Sequence, residues 1–532
     1  MSYRANTAQQ ISINDRMNNL TKREQKCIAN TWAKTFAEII FPMINEEKFK
    51  VLYCEDNGRP NTPVNIVVGA LFLKEMGHLT DDELNESIMF DIRYQYALHL
   101  TSYEEIPFSD RTLSRFRERL YEHGTETETD ILREEIERLS GEFAKMMKLH
   151  SGMRRMDSVM VASSCKSMGR LELIYTCVSN LVEAIIKSGE SSSLPERMLE
   201  YAEPSNKNAY CYRLEQEEVT TRLEAVTNDA MELYRICSLL QGGELEYQQL
   251  ERMITDQTEN GKLKANKQIS PESMQNPSDE DATFRRKAGK SHHGYVGNFV
   301  ETCGENGNII TQYGYDANVH SDTAFAAEVI EQFGKQDEPT ILISDGAYAS
   351  EANTNAAEEN NIKFVTTNMT GQKPPEIVLE FEISENKIQS CPAGHVPYDC
   401  AYDEKKAEYR AYFNKADCES CPRKEECLVK IQKKRGAVKL STSTIKRAEY
   451  TKKLSTEEYK DYARKRNGVE GIPSVLRRRY RVDEMPVRGL LRTKMWFGFK
   501  IGAINIKRVI KFILFNLIFL KNPLFSFDTI LF

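Results

Sequence analysis

Three acidic residues are set apart by their surroundings. Asp157 lies in the short apolar run Arg154-Arg-Met-Asp157-Ser-Val-Met-Val161, and Asp345 ends a second one, Ile341-Leu-Ile-Ser-Asp345-Gly-Ala-Tyr348. Glu470 lies far downstream in Arg464-Lys-Arg-Asn-Gly-Val-Glu470, with Arg477-Arg-Arg479 close behind it. An acid that ends a buried strand is not a packing residue, because an unpaired buried carboxylate is costly. Three such acids from distant segments are expected to neutralise one another only around divalent cations. A hard-oxygen Mg²⁺ site beside a cationic surface suits the chemistry of phosphodiesters.

The charge distribution points the same way. The chain carries a net −7, which alone argues against a nucleic-acid partner. Between Lys430 and Arg508, however, 23 Lys/Arg face 7 Asp/Glu, a local +16. Between Leu181 and Ala282 there are 20 acids and 10 bases. Such segregation presents one cationic face to a polyanion and holds another away from it. The plainer reading is a solvated basic helical surface.

The elements that must position these groups can be read from patterning. Thr62-Pro63 starts a helix over Val64–Met76 that Gly77 stops. Thr80-Asp-Asp-Glu83 is a capping box for a second helix, with Leu84, Ile88 and Ile92 at helical spacing. After a loop with Pro107, Ser109-Asp110 begins a basic helix from Arg111 to Leu120. Leu113, Phe116 and Leu120 share one face of it, and Arg111, Arg115 and Arg119 turn elsewhere. This order fits a helix-turn-helix-like DNA reader and equally a helical packing or dimerisation domain. Strands are expected at Met156–Val161, Pro339–Asp345 and Ile362–Thr367. Gly294–Cys303 and Ile309–Tyr315 form a hairpin across Gly304-Glu-Asn-Gly307, and helices cover Ser321–Phe333 and Ser350–Asn360. The acidic stretch from about 167 to 285 reads as a helical insertion.

Four blocks in this order resemble the DDE transposases of bacterial insertion sequences. They are the Asp157 strand, the segment Asn276-Pro-Ser-Asp-Glu-Asp-Ala-Thr-Phe-Arg-Arg-Lys-Ala-Gly-Lys290 leading into Gly294-Tyr295, the Asp345 strand, and the Arg466/Glu470 segment. The resemblance runs from about Pro63 to about Arg508. It implies a mixed α/β (α+β) fold whose core is a ribonuclease-H-like sheet. The first and fourth strands of that sheet are neighbours, so Asp157 and Asp345 can meet. The implied layout is a helical N-terminal domain (1–150), a catalytic core (151–368), a cysteine-rich insertion (369–445), and a final segment (446–532) with the Glu and basic helices.

The resemblance also implies roles. Asp157, Asp345 and Glu470 become the catalytic acids and the ligands of two Mg²⁺ or Mn²⁺ ions. One ion activates water or a DNA 3′-hydroxyl, and the other stabilises the leaving oxygen. Related transposases carry a Tyr-x₂-Arg-x₃-Glu-x₆-Lys pattern. Here Arg466, Glu470 and Arg477 take its last three places, while Ala463 stands at the Tyr place. Glu457 and Glu458 are rivals for the third acid. Arg466, Arg477, Arg478, Lys287 and Lys290 are expected to grip phosphates, and Arg111 and Arg115 to contact DNA from the N-terminal helices. The implied partner is double-stranded DNA, at the element's terminal inverted repeats and at the target. Two element ends imply at least a homodimer.

Five of the twelve cysteines fall in the second insertion: Cys391, Cys400, Cys418, Cys421 and Cys427. Cys418-Glu-Ser-Cys421 has metal-ligand spacing, and no secretory signal precedes it to favour disulfides. The expected ligands of a structural Zn²⁺ are Cys391, Cys418, Cys421 and Cys427, with Cys400 or His395 as replacements. Free thiols are the alternative. The longest apolar run, between Lys511 and Lys521, is interrupted by Asn516 and too short for a membrane span of about 20 residues. Phe512–Leu520 is expected to be a buried terminal helix or an interaction surface. The expected location is the cytoplasm, at the nucleoid. A nuclease that cuts without strand transfer, a domesticated DNA-binding protein and a zinc-dependent regulator are the other classes open to this sequence.

Overall fold

The computed structural model describes residues 1–521 apart from 7–14, 56–57, 103–105, 107, 110, 150–151, 238–242, 288 and 370, with side chains described as far as Asn516. Pro107 and Asp110, expected before the basic helix, lie outside the described residues. The chain divides into two compact units. One comprises Met1–Ser151, Asp157–Phe325 and Ile472–Phe532, and the other Gly152–Met156 and Ala326–Gly471.

In the first unit, α1 (Val64–Gly77) is buried over most of its length. Its stop falls one residue after the expected glycine, with His78 taking the left-handed conformation at φ 58°. The capping box of Thr80 and Glu83 starts α2 (Asp81–Phe90) as expected. Ile92 is not part of α2. Asp91 turns extended, and its carboxylate accepts from the Arg93 N–H at 2.9 Å, which starts a separate helix, α3 (Ile92–Ala97). The basic helix α4 (Thr112–Thr127) buries Leu113, Phe116 and Leu120, while Arg111 and Arg115 stay exposed. α5 (Ile131–Met146) follows.

The acidic stretch forms α6 (Arg170–Ser188), α7 (Gln216–Cys237) and α8 (Glu244–Gln257). These helices enclose a core of their own, including Leu181, Val226, Leu233, Leu250 and Met253. Apolar stripes facing inward leave the acids to solvent.

Strand β1 (Met153–Ala162) is shared between the units, its second half lying in the first. There it neighbours β3 (Lys290–Gly304), which also pairs with β2 (Thr283–Lys287) and with β4 (Gly307–Ala317). The expected hairpin is present and longer than its apolar core suggested. Asp279, from the Asn276–Lys290 block, is 2% exposed. It accepts from the Tyr295 hydroxyl at 2.5 Å and the Gly489 N–H at 3.0 Å. That block therefore anchors the start of the C-terminal helix.

The C-terminal helix is one continuous element, Leu490–Lys521. Lys500 Nζ meets Glu75 Oε2 at 2.8 Å, both side chains buried. Asn505 bonds Ile310 through both its amide groups and donates to Ser140 Oγ at 2.9 Å. The expected terminal helix from Phe512 is the end of this element. Phe512–Leu514 are half-buried and Phe515 is exposed. No helix among the described residues is long and apolar enough to cross a membrane.

In the second unit, the first half of β1 runs parallel to β5 (Thr340–Ser344), and β5 parallel to β6 (Ile362–Thr366). Ile343 and Val365 pack with Tyr462 into a small core. The cysteine-rich segment is a four-stranded sheet of β7 (Asp399–Asp403), β8 (Glu408–Asn414), β9 (Lys430–Ile431) and β10 (Arg435–Ser441), in the order β7-β8-β10-β9. Helices Asp322–Phe333 and Glu351–Glu359 precede β5 and β6 in the chain. The protein is a mixed α+β fold.

Candidate functional site

Asp345 follows the last residue of β5 and caps a short turn, Gly346–Tyr348, by accepting from the Ala347 N–H at 2.9 Å. The Gly346 N–H donates to the Asn368 side-chain oxygen. A Cβ at Gly346 would press into the Asn368 carbonyl. The glycine is therefore required by the close approach of Asn368, which fixes the turn that presents the acid.

Glu470 lies where a helix is interrupted. Helix α9 (Glu457–Asn467) ends, one turn of 3₁₀ helix covers Gly468–Glu470, and α10 (Gly471–Arg478) resumes. Arg155, two residues before Asp157, packs against this interruption. Its guanidinium donates to the Lys465 carbonyl at 2.5 Å, and a Cβ at Gly468 would collide with it. Sequence reasoning missed Arg155 and Asn368. The signal for Arg155 was a charged residue inside an apolar strand; Asn368 carried none.

Arg466 brings two of the three acids together. Its Nη1 donates to Glu470 Oε1 at 2.9 Å, and its Nη2 stands 3.9 Å from Asp345 Oδ2. The Arg466 side chain is 13% exposed and that of Asp345 24%. This corrects the expectation that only divalent cations could neutralise the acids, because a guanidinium already does so for two of them. The rival acids are engaged elsewhere. Glu457 pairs with Lys460 at 2.8 Å, and Glu458 with Lys363 at 2.6 Å and the Tyr462 hydroxyl at 2.9 Å. Tyr462 packs against the sheet instead of filling the place held by Ala463.

In the first unit, Asp157 is half-buried and accepts from the Ser158 N–H at 2.9 Å. Arg477 donates to the Met160 carbonyl at 2.9 Å and pairs with Asp483 at 3.2 Å, so part of its charge serves the fold. Arg478 is exposed. Lys287 lies 3.7 Å from the buried Asp322, and Lys290 is exposed at the hairpin end.

The cysteines of the second unit gather as expected. Cys391, Cys418, Cys421 and Cys427 line one cavity of about 20 Å³, together with His395 and Asp417. That is room for a single atom-sized guest. Cys400 is turned away and accepts from the Ile388 N–H at 3.2 Å. Burial raises the Cys418 and Cys427 thiol pKa values, and the neighbouring cysteines add to it. Among the described residues, no three His, Cys, Asp or Glu side chains close on a common point as a metal site.

Comparison with known families adds two matches. Residues 390–510 match the family described as Transposase DDE domain, and residues 25–119 match the Transposase domain (DUF772). The first span contains Arg466 and Glu470; the second contains α1 to α3 and Arg115. No curated protein and no solved structure matches the chain.

Proposed function

We propose that this chain, a DDE transposase of an insertion sequence by its two matched segments, cuts DNA strands at the element's ends and joins them to target DNA. The observation that carries this reading is the convergence of Asp345 and Glu470 on one cation, the Arg466 guanidinium. A second support is register. Met153 pairs in parallel with Ile341, 188 positions on, and Asp345 stands the same 188 positions beyond Asp157.

The donor set fits hard divalent ions, since carboxylate oxygens that attract one guanidinium attract Mg²⁺ or Mn²⁺ as well. Asp157, Asp345 and Glu470 would hold two such ions, which when bound supply an activated nucleophile and charge stabilisation on the leaving oxygen. Arg466, held a few ångströms from both acids, is placed to donate to a phosphate oxygen as it leaves either carboxylate. Arg478 and Lys290 offer exposed charge to the DNA backbone, Arg111 and Arg115 do so from the N-terminal helices, and Arg477 and Lys287 add what their internal partners leave. No serine or tyrosine carrier is required, because the attacking groups are water and a DNA 3′-hydroxyl. Cys391, Cys418, Cys421 and Cys427 would hold a structural Zn²⁺, which would cross-link the small sheet.

Duplex DNA carrying the terminal repeats that flank the gene, incubated with Mg²⁺ and the purified protein, tests the reading. Strand cleavage followed by joining of the 3′ ends to a second duplex is expected. Cleavage without joining would identify a nuclease. Binding without cleavage in either Mg²⁺ or Mn²⁺ would identify a non-catalytic DNA-binding protein.

A further inference from the structure

The first unit holds a second cationic concavity, remote in sequence from the three acids. A pocket of about 470 Å³ opens between Tyr53, the stretch Arg59–Thr62 and the start of α4. Three arginines line it, Arg59, Arg115 and Arg119, and no Asp or Glu does among the described residues. Among the described residues the lining therefore carries three positive side chains and no negative one. None of the three forms an ion pair with a described residue; the Arg119 guanidinium lies over the Tyr53 ring, 4.9 Å from its centroid.

The remaining wall has two characters. The Ser109 and Thr112 hydroxyls, 2.9 Å apart, add hydrogen-bonding groups beside Arg115. Pro60, Ile106 and Phe108 give an apolar side. Arginines with hydroxyls suit a phosphate, and an adjoining apolar surface suits a sugar and base. The volume falls within the roughly 300–1,000 Å³ of small-ligand sites and accommodates one nucleotide.

We infer that this pocket binds one nucleotide unit of a DNA strand, with Arg59, Arg115 and Arg119 on its phosphate and the apolar wall against its sugar and base. The choice of DNA over another phosphate-bearing ligand rests on the transposase reading; the site itself does not. It extends the role expected of Arg115 from a helix-face contact to one wall of a built pocket, and adds Arg59, Arg119 and Tyr53 to the DNA-contacting set.

The probe is a 5′-phosphorylated single-stranded hexanucleotide of mixed sequence, followed by fluorescence anisotropy over a range of salt. Wild type is compared with Arg59→Glu/Arg115→Glu and with Arg59→Gln/Arg115→Gln. Both positions are exposed, so unchanged melting curves are expected. Binding should weaken at least tenfold in the Glu variant and less in the Gln variant. The salt dependence should become shallower by roughly one unit of slope, at about 0.7 per phosphate contact on single strands. Affinity within twofold of wild type in both variants would overturn the inference. So would full displacement of the probe by an equal concentration of inorganic phosphate, which would reassign the pocket to a bare anion. If the variants lose the probe but wild type neither cleaves nor joins DNA, only the catalytic reading fails. If wild type cleaves and joins while the variants bind the probe unchanged, only this one fails.

Discussion

Arg466 donates to Glu470, one helical turn further on, at 2.9 Å across the 3₁₀ step between α9 and α10. Arg155 packs against Gly468 in this step, and the pair stands beside Asp345. A cation is thereby held where the acids converge, and the predictions below follow from that placement.

Asp157→Asn and Asp345→Asn each remove a hard oxygen ligand without touching the basic surface. Each should lower cleavage by ~100-fold or more, since even outer partners of a metal site are worth about 10–100-fold. Affinity for end-sequence DNA should stay near wild type. Substantial Mg²⁺-dependent cleavage by either variant would remove that residue from the site.

Glu470→Gln separates the third acid from its rivals. It frees Arg466 from one carboxylate, so DNA affinity should hold or rise while cleavage and joining fall. Glu457→Gln and Glu458→Gln should leave both nearly unchanged, because those acids pair with lysines outside the convergence. Paired binding and cleavage assays decide. An active Glu470→Gln beside an inactive rival would transfer the role.

Gly468→Ala should cost ~1–3 kcal/mol of stability through overpacking, because the new methyl collides with the Arg155 guanidinium. Thermal melting measures it. In an Arg155→Ala background the same change should cost much less, and equal costs in both backgrounds would show that the Arg155 contact is not what excludes a side chain at 468.

Lys500→Met leaves the buried Glu75 with Lys74, 3.7 Å from its carboxylate, as its remaining ion-pair partner among the described residues. Removing one partner of a buried pair typically costs about 3–5 kcal/mol. A lowered denaturation midpoint in the first unit is expected. A change under about 0.5 kcal/mol would mean the pair contributes little to docking the C-terminal helix.

Zinc loading should be pH-dependent. The Cys418 and Cys427 thiols have raised pKa values, so at neutral pH they are protonated in the metal-free protein and must lose protons to ligate. Apparent zinc affinity should therefore rise with pH and fall in acid. One zinc per chain is expected by metal analysis, and Cys418→Ser/Cys421→Ser should lose it. Freshly purified, reduced protein without zinc would leave free thiols.

Local rules acting over a few residues made much of this protein legible in its sequence. The Thr80 capping box, the apolar face of α4, the β3–β4 hairpin and the strands that carry Asp157 and precede Asp345 all follow from side-chain period and turn chemistry. So did the candidate acids, because a charge among apolar strand residues is conspicuous wherever the strand later lies. The pairing of Cys418 with Cys421 was legible from spacing, while Cys391 and Cys427 join them at one cavity through the fold. The geometry there was not legible, because spacing does not say how far the sulfurs stand from a common centre. The tertiary structure alone decided which group neutralises the acids. Sequence pattern marked Arg466 as a phosphate contact, and only the fold shows it beside both Asp345 and Glu470. The close approach at Gly468 comes from Arg155, 313 positions earlier. Contacts so distant in sequence leave no local pattern, because they are set by how strand and helix pack.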